Sequence, residues 1–382
     1  MKFLIKKFLA LKNIDYLPPL KNKILFIGSH NVDLFEKYIL KDNHSIYEFG
    51  RLNLFVFFFS LIRRYVSNLR LNYLINYINL TNPDIVITFI DNYHYFYKLK
   101  NFFDKKIFIS IQNGWRGKLN DFFDEKYDEL FDKMEVDFLL TFNDSIGKKF
   151  QEKVNCKIIK IGSFRSNIFS IKKFSKKNSL AFISSYKKRD KEYFSFSKNS
   201  KILFKDYFLS EKYILDFLSD YCLKNKMELF VIPCQNNNDE FNFYKTKKDN
   251  KFEMMLKKNR YCSYEYINDF KYQIGTDTTL SYESLFRGNR IGFFNIRKNF
   301  ISQYTNDNLE CHNFLWPGEV LKEGQFWTHK IDPISMNRVL EFVINSNDNE
   351  WDKAMNNIGI DNHIFYDYGN TKLKKLLKEN LN

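Results

Sequence analysis

Cysteine is scarce and unpatterned. Cys156, Cys222, Cys234, Cys262 and Cys311 are odd in number and form no Cys-x-x-Cys pair, which excludes a structural disulfide framework and a zinc-ribbon spacing and points to a reducing compartment. No Asp-x-Asp triplet occurs, and no histidine pair stands at helical spacing, His312 and His329 being 17 residues apart in loop-like sequence. No metal is therefore expected. Long apolar runs are missing too. The most apolar stretch, Leu52 to Ile62, is eleven residues long and ends at Arg63-Arg64, too short to span a bilayer, and is read as a buried element. Met1 to Lys12 interleaves basic and apolar residues without an uninterrupted apolar core or a small-residue cleavage site, so it is not a signal peptide. It fits either a short amphipathic helix lying on a membrane or a segment packed on its own domain.

The net charge of +15 comes without zinc-finger spacing or an RNP-like aromatic motif, and the lysines are spread along the chain. That pattern speaks against nucleic acid. An anionic membrane surface or a nucleotide-type substrate fits better, and a merely solvated basic exterior is the plain alternative. Glycine and proline are few while Asn, Lys, Ile, Phe and Tyr abound, the mark of an AT-rich genome, so part of the lysine excess is compositional drift. What the chain has in quantity is material for cores: 44% hydrophobic residues, with 42 Phe and 24 Tyr in 382 residues. It reads as a globular chain of two domains.

Short apolar runs alternate with helical stretches. Lys23–Ser29, Ile85–Ile90, Lys106–Ile111, Phe138–Thr141 and Lys157–Gly162 read as strands, with helices over Leu69–Leu80 and Asp144–Val154. Near-continuous apolar strands of this length belong to parallel sheets covered on both faces. The polar, poorly periodic segment Ser170–Asn178 marks a boundary, giving domains 1–170 and 171–382. The second half resumes with strands Leu180–Ser184, Glu228–Pro233, Tyr272–Thr276 and Arg290–Phe294, a helix over Ser210–Lys224, a loop over Gln235–Glu240, and C-terminal helices from Pro333 to Leu381. The expected fold is α/β, two Rossmann-like domains facing each other across a cleft, with ligands at the strand C-terminal ends.

The stretch Gly275 to Phe294 reads as a strand end, a polar turn, a short helix, a glycine stop and a second buried strand. Thr276, Thr278 and Thr279 stand where hydroxyls and the free amides of a helix start can receive a phosphate, and Glu283 falls one turn further on, where a carboxylate can accept hydrogen bonds from sugar hydroxyls. An ordinary N-cap in an αβ unit explains the same residues. After the strand ending at Ile111, Gln112-Asn113-Gly114-Trp115-Arg116-Gly117-Lys118 combines backbone freedom with two cations suited to a phosphate or carboxylate. Lys187-Lys188-Arg189 is a further basic run, fit for a diphosphate or for solvent. The Phe314–Gly318 and Phe326–Thr328 aromatics suit either stacking on a ligand or the core.

Gln112-Asn113-Gly114 with Arg116, Ile161-Gly162-Ser163-Phe164-Arg165-Ser166-Asn167, the Gly275 to Phe294 stretch and Gly324-Gln325-Phe326-Trp327-Thr328 together resemble bacterial surface-carbohydrate (O-antigen and capsule) biosynthesis transferases. These are GT-B glycosyltransferases, similar to CDP-glycerol glycerophosphotransferases, and the likeness covers roughly Ile85 to Thr328. The resemblance implies a cytoplasmic, membrane-peripheral, metal-independent enzyme without a cofactor. It would move a sugar, an acidic one among the candidates, from a nucleotide-sugar to a glycan or lipid-linked acceptor. A nucleotide-sugar epimerase of the same fold and a non-catalytic scaffold are the rivals.

Where the related polymer transferases carry Gln-His-Gly, with the histidine as base, this chain has Asn113, which takes up no proton. Asp91, His94 and Asp33 are the candidate bases. Thr278, Thr279 and Arg116 are the first choices for stabilising the departing phosphate, followed by Ser163 and Arg165, the latter also fit for a hinge salt bridge. Gly275, Thr276 and Glu283 complete the expected donor site, and Gln112, Asn113 and Gly114 the acceptor or phosphate loop.

Overall fold

The computed structural model describes residues 13–40, 44–117, 121–124, 133–172, 174–188, 192–195, 201–235, 238–245, 251–305, 309–318 and 323–381. The chain divides into two units, one of Met1–Asn113, Lys126–Ile168 and Asp367–Asn382, the other of Gly114–Glu125 and Phe169–Tyr366.

The first unit contains strands β1 (Asn13–Asp15), β2 (Ile24–Ile27), β3 (His44–Tyr47), β4 (Arg51–Asn53), β5 (Ile85–Thr88), β6 (Ile107–Ile111), β7 (Glu135–Thr141) and β8 (Asn155–Lys160). Six of them form an all-parallel sheet in the order β3-β2-β5-β6-β7-β8, and β1 pairs with β4 beside it. β2 and β5 are buried along their whole length, as helices on both faces require. Helix Leu69–Thr81 is capped by Asn68, whose side chain accepts from Leu71 N, and helix Asp144–Gln151 by Asn143, which accepts from Ile146 N.

In the second unit β9 (Lys176–Ile183), β12 (Glu228–Ile232), β13 (Glu253–Met254), β14 (Phe270–Gly275), β15 (Arg290–Phe294) and β16 (Trp327–Thr328) form another parallel sheet, while β10 (Tyr193–Ser195) and β11 (Lys201–Leu203) make a separate hairpin. Its order, β13-β12-β9-β14-β15-β16, is 3-2-1-4-5-6 in chain sequence, the Rossmann arrangement. Helix Pro333–Asn345 lies directly on β15: a Cβ at Gly292 would come within 2.7 Å of Val339 Cγ1, so glycine permits that approach.

The structure departs from the expected organisation at four places. The last helix, Thr371–Leu381, belongs with the first unit and not with residues 171–366. Asn167 is the reason: its Nδ2 donates to Asn370 Oδ1 at 2.9 Å, its Oδ1 accepts from Asp367 N at 3.0 Å, and its carbonyl accepts from Gly369 N at 2.7 Å. Gly114–Glu125 conversely belongs with the second unit. The polar run ending at Glu240 is helical from Asn238 to Tyr244. Leu52–Ile62 is not a buried element either. Its helix, Leu54–Ile62, buries only Val56 and Ser60. Met1 to Lys12, Lys118, Arg189 and residues 236–237 of the polar run lie outside the described residues.

Candidate functional site

In a doubly wound sheet ligands sit beyond the strand C-terminal ends where the strand order reverses. In the second unit that point lies between β9 and β14. From β14 the chain runs through Thr276 and Asp277 into helix Thr279–Phe286, whose N-cap Thr278 accepts from Ser281 N at 3.1 Å. A Cβ on Gly275 would overlap Ser281 Oγ, so the glycine lets the helix start lie against the strand end. Ser281 N–H is taken by Thr278 Oγ1 and Tyr282 N–H donates to Thr278 O. The helix itself therefore makes no use of the Thr279 and Leu280 amides, and both residues are only half-buried. Thr276 Oγ1 is buried with no hydrogen-bond partner, an arrangement that costs free energy unless a ligand or water satisfies it.

Beside this turn lies a buried charge cluster. Arg297, at the start of helix Arg297–Ile301, donates from Nη1 to Asp277 Oδ1 at 2.5 Å and from Nη2 to Ser185 Oγ at 2.8 Å and Glu211 Oε1 at 3.2 Å. His312 Nδ1 lies 2.8 Å from Asp277 Oδ2. Burial opposes ionisation of Asp277, but the Arg297 guanidinium and then His312 outweigh it and hold the carboxyl well below its ordinary range. Burial likewise opposes the Arg297 cation, and Asp277 more than offsets that, so the guanidinium is held even more firmly protonated. Glu211 also accepts from Ser185 N at 2.9 Å and Tyr244 OH at 2.6 Å. Beyond β12, burial pushes the Glu240 carboxyl up to about 7, against the hydrogen bonds it accepts from Ser184, Cys234 N and Gln235 N.

The Trp115 loop, part of this unit, packs on the same helix. Trp115 N donates to Thr279 Oγ1 at 2.8 Å, the indole stacks on Tyr282 with centroids 4.2 Å apart, and its Nε1 donates to Trp316 O at 2.8 Å. Gly114, expected in the acceptor or phosphate loop, and Thr279, expected in the donor site, are brought together: a Cβ on Gly114 would lie 3.4 Å from Thr279 Oγ1. Arg116 pairs with Asp121 of its own loop at 3.1 Å. Glu283 is buried, its two oxygens accepting the Tyr264 hydroxyl at 3.0 and 2.9 Å. Phe314, Phe326 and Trp327 form core, Phe314 stacking on Trp327 at 4.6 Å. Lys188 is paired with Asp239 at 2.8 Å.

The first unit gathers a second set of residues at its strand C-terminal ends. Asp91, fully buried after β5, accepts from Asn113 N at 3.0 Å; Asn31 Nδ2 donates to Asn113 Oδ1 at 3.3 Å, and Arg165 Nη2 to Asn113 O at 3.0 Å. Gln112 accepts from Phe142 N at 2.8 Å. Ser163 Oγ accepts from Ser166 N at 3.3 Å. His94 opens helix His94–Leu99 and is half-buried, while Asp33 is exposed in the first turn of helix Val32–Tyr38. Asp91, Asn113 and Arg165 thus form one hydrogen-bonded group.

Sequence reasoning missed Arg297, Glu211, Ser185 and Glu240. Asp277 stood inside the Thr276–Thr279 turn, and that neighbourhood was the only signal available. Arg297 follows a different strand, and nothing in its surrounding sequence distinguishes it from other surface-type arginines.

Two parallel αβ units, the second in Rossmann order with a helix start at its switch point, define a protein of the GT-B type. More particularly, the chain belongs to the family described as "putative O-antigen biosynthesis protein", whose model matches residues 109–381. Among solved structures, a "putative UDP-N-acetylglucosamine 2-epimerase" from Listeria monocytogenes superposes with a TM-score of 0.53 at 10% identity, over 94% of this chain and 96% of that one. The wall teichoic acid polymerase TagF gives 0.49 at 11% identity over 95% and 90%. The UDP-GlcNAc 2-epimerase of Methanocaldococcus jannaschii gives 0.46 at 10% over 93% and 99%. No curated protein matches the chain in sequence.

Proposed function

We propose that the chain is a nucleotide-sugar-dependent glycosyltransferase of surface-polysaccharide assembly, acting on a glycan or lipid-linked acceptor. The observation that carries this reading is the turn after β14, where the buried Thr276 hydroxyl has no partner beside two amides that the helix leaves unused. A nucleotide diphosphate supplies the missing acceptors there. As the sugar leaves, charge grows on the departing phosphate, and the Thr279 and Leu280 amides and the positive end of the helix stabilise it, while the Thr278 and Thr279 hydroxyls hold the turn and the Trp115 loop in place. Asp277 is held anionic and matched by Arg297, so it adds little net repulsion against the phosphate.

For the acceptor, Asp91 is the preferred base, because its carboxylate is held against the Asn113 loop; His94 and Asp33 are the alternatives. The test is thermal stabilisation of the intact protein by CMP, CDP, UDP and GDP. One of them at a hundredfold excess over its Kd is expected to add about 2.7 kcal/mol, and an Asp91→Asn variant is expected to keep that shift while losing transfer. Absence of a shift with every nucleotide sinks the proposal. Conversion of a nucleotide-sugar without acceptor replaces transfer by epimerisation.

A further inference from the structure

Helix Leu54–Ile62 turns its apolar side chains outward. Phe55, Phe58 and Ile62 are 41%, 58% and 82% exposed, and their i, i+3, i+7 spacing puts them on one stripe, opposite the buried Val56 and Ser60. Leu61 and Tyr65 are exposed beside them. So few buried apolar groups do not hold a helix by themselves, and polar clamps at both ends do. Asn53 caps the start, accepting from Val56 N at 3.0 Å. Asn72 Nδ2 donates to the carbonyls of Ser60 and Arg63 at 2.7 and 3.0 Å, and Asn76 Nδ2 to that of Arg63 at 3.1 Å. The outward stripe is therefore spare to the fold. Asn53 Nδ2 also donates to Leu17 O at 2.7 Å, which fixes a segment carrying the exposed Tyr16, Leu17 and Leu20 beside the helix start.

The charge differs between the two ends of the helix. Between Glu48 and Asp84 the sequence contains no Asp or Glu; before the helix start Arg51 is paired with Asp15 at 2.6 Å and Glu48 at 3.7 Å, while past its end Arg63 and Arg64 are exposed. The Arg63 guanidinium lies over the Phe59 ring at 5.0 Å, so cation and apolar side chains share one surface. An exposed apolar stripe that ends in two unshielded arginines matches an anionic bilayer, with acyl chains for the phenylalanines and headgroup phosphates for the guanidinium groups.

We infer that the outward face of helix Leu54–Ile62 with Arg63 and Arg64 docks the protein on an anionic phospholipid bilayer. This deepens the proposed function by placing the enzyme where a lipid-linked acceptor resides, yet its test involves no turnover and so fails or succeeds separately. The full chain is sedimented with vesicles of phosphatidylglycerol and phosphatidylethanolamine, and with phosphatidylcholine vesicles as the uncharged control. Binding to the anionic vesicles is expected, with at least a tenfold loss in Phe58→Ser/Ile62→Ser, a several-fold loss in Arg63→Ser/Arg64→Ser or at 0.5 M salt, and none in Leu223→Ser, an exposed leucine of the other unit. Failure of the parent to bind any vesicle overturns the inference, as does full binding by Phe58→Ser/Ile62→Ser. So does a parent dimer that this double substitution makes monomeric without change in vesicle binding, since a second copy would then be the occupant.

Discussion

Arg297 joins two carboxylates, those of Asp277 and Glu211, and its removal tests the site. In Arg297→Met the side-chain volume is roughly kept, but Asp277 and Glu211 lose the guanidinium that lies 2.5 and 3.2 Å from them. Breaking a buried pair by deleting one partner costs about 3–5 kcal/mol, because the remaining charge stays desolvated. At about 2–4 °C per kcal/mol for a unit of this size, the melting temperature falls by roughly 6–20 °C. The sign with pH follows from Asp277. Its folded carboxyl is depressed, so in the parent it contributes stability that is present above its unfolded value of about 4 and lost as pH falls through the folded one. The variant lacks that contribution, and protonation relieves its unpaired carboxylate, so the deficit is largest above about pH 5 and shrinks toward pH 4. Thermal unfolding of both proteins followed by circular dichroism between pH 4 and 8 measures this, and Arg297→Met/Asp277→Asn is expected to recover part of the loss. A variant as stable as the parent at pH 7.5, or a deficit independent of pH, refutes the reasoning.

Glu240 predicts the opposite slope. Its folded carboxyl is raised to about 7, so the native state binds the extra proton between about pH 4.5 and 7, and stability falls across that window by up to about 1.4 kcal/mol per pH unit. In Glu240→Gln that slope should flatten in the same melts, and an unchanged slope would assign it elsewhere. Thr278→Ala removes the cap on Ser281 N and is expected to cost about 1 kcal/mol of stability and to weaken nucleotide binding in a titration; loss of stability with unaltered affinity would separate the cap from the donor site.

The Gly275 to Phe294 unit was legible because its signals are local. A β-rich run, a threonine N-cap, a glycine after the helix and a second apolar run each report on neighbours within a few residues, and β15 and the helix fall where expected. The short β3 leaves no such signal, since the His44–Tyr47 run is too brief and too polar to show a period. The reading of Leu52–Ile62 as buried failed for a definite reason: apolarity measures what a segment tolerates, while its burial depends on whether another element lies over it. Here Asn53, Asn72 and Asn76 hold the helix by its ends, and nothing in the local sequence announces that.

Short-range signals in the sequence specify the class of the protein, two parallel αβ units with a threonine-capped turn after β14 in the second, because strand periodicity, capping and glycine placement are encoded over short distances. Only the tertiary structure decided which charges meet. Ser185, Glu211, Asp277, Arg297 and His312 leave different strands or helices and converge because the 3-2-1-4-5-6 order sets β9 beside β14. The return of the last helix to the first unit likewise rests on Asn167 and Asn370, 203 positions apart. Such long-range pairings carry no local signature, since either partner is as acceptable at a solvated surface as in the site it completes.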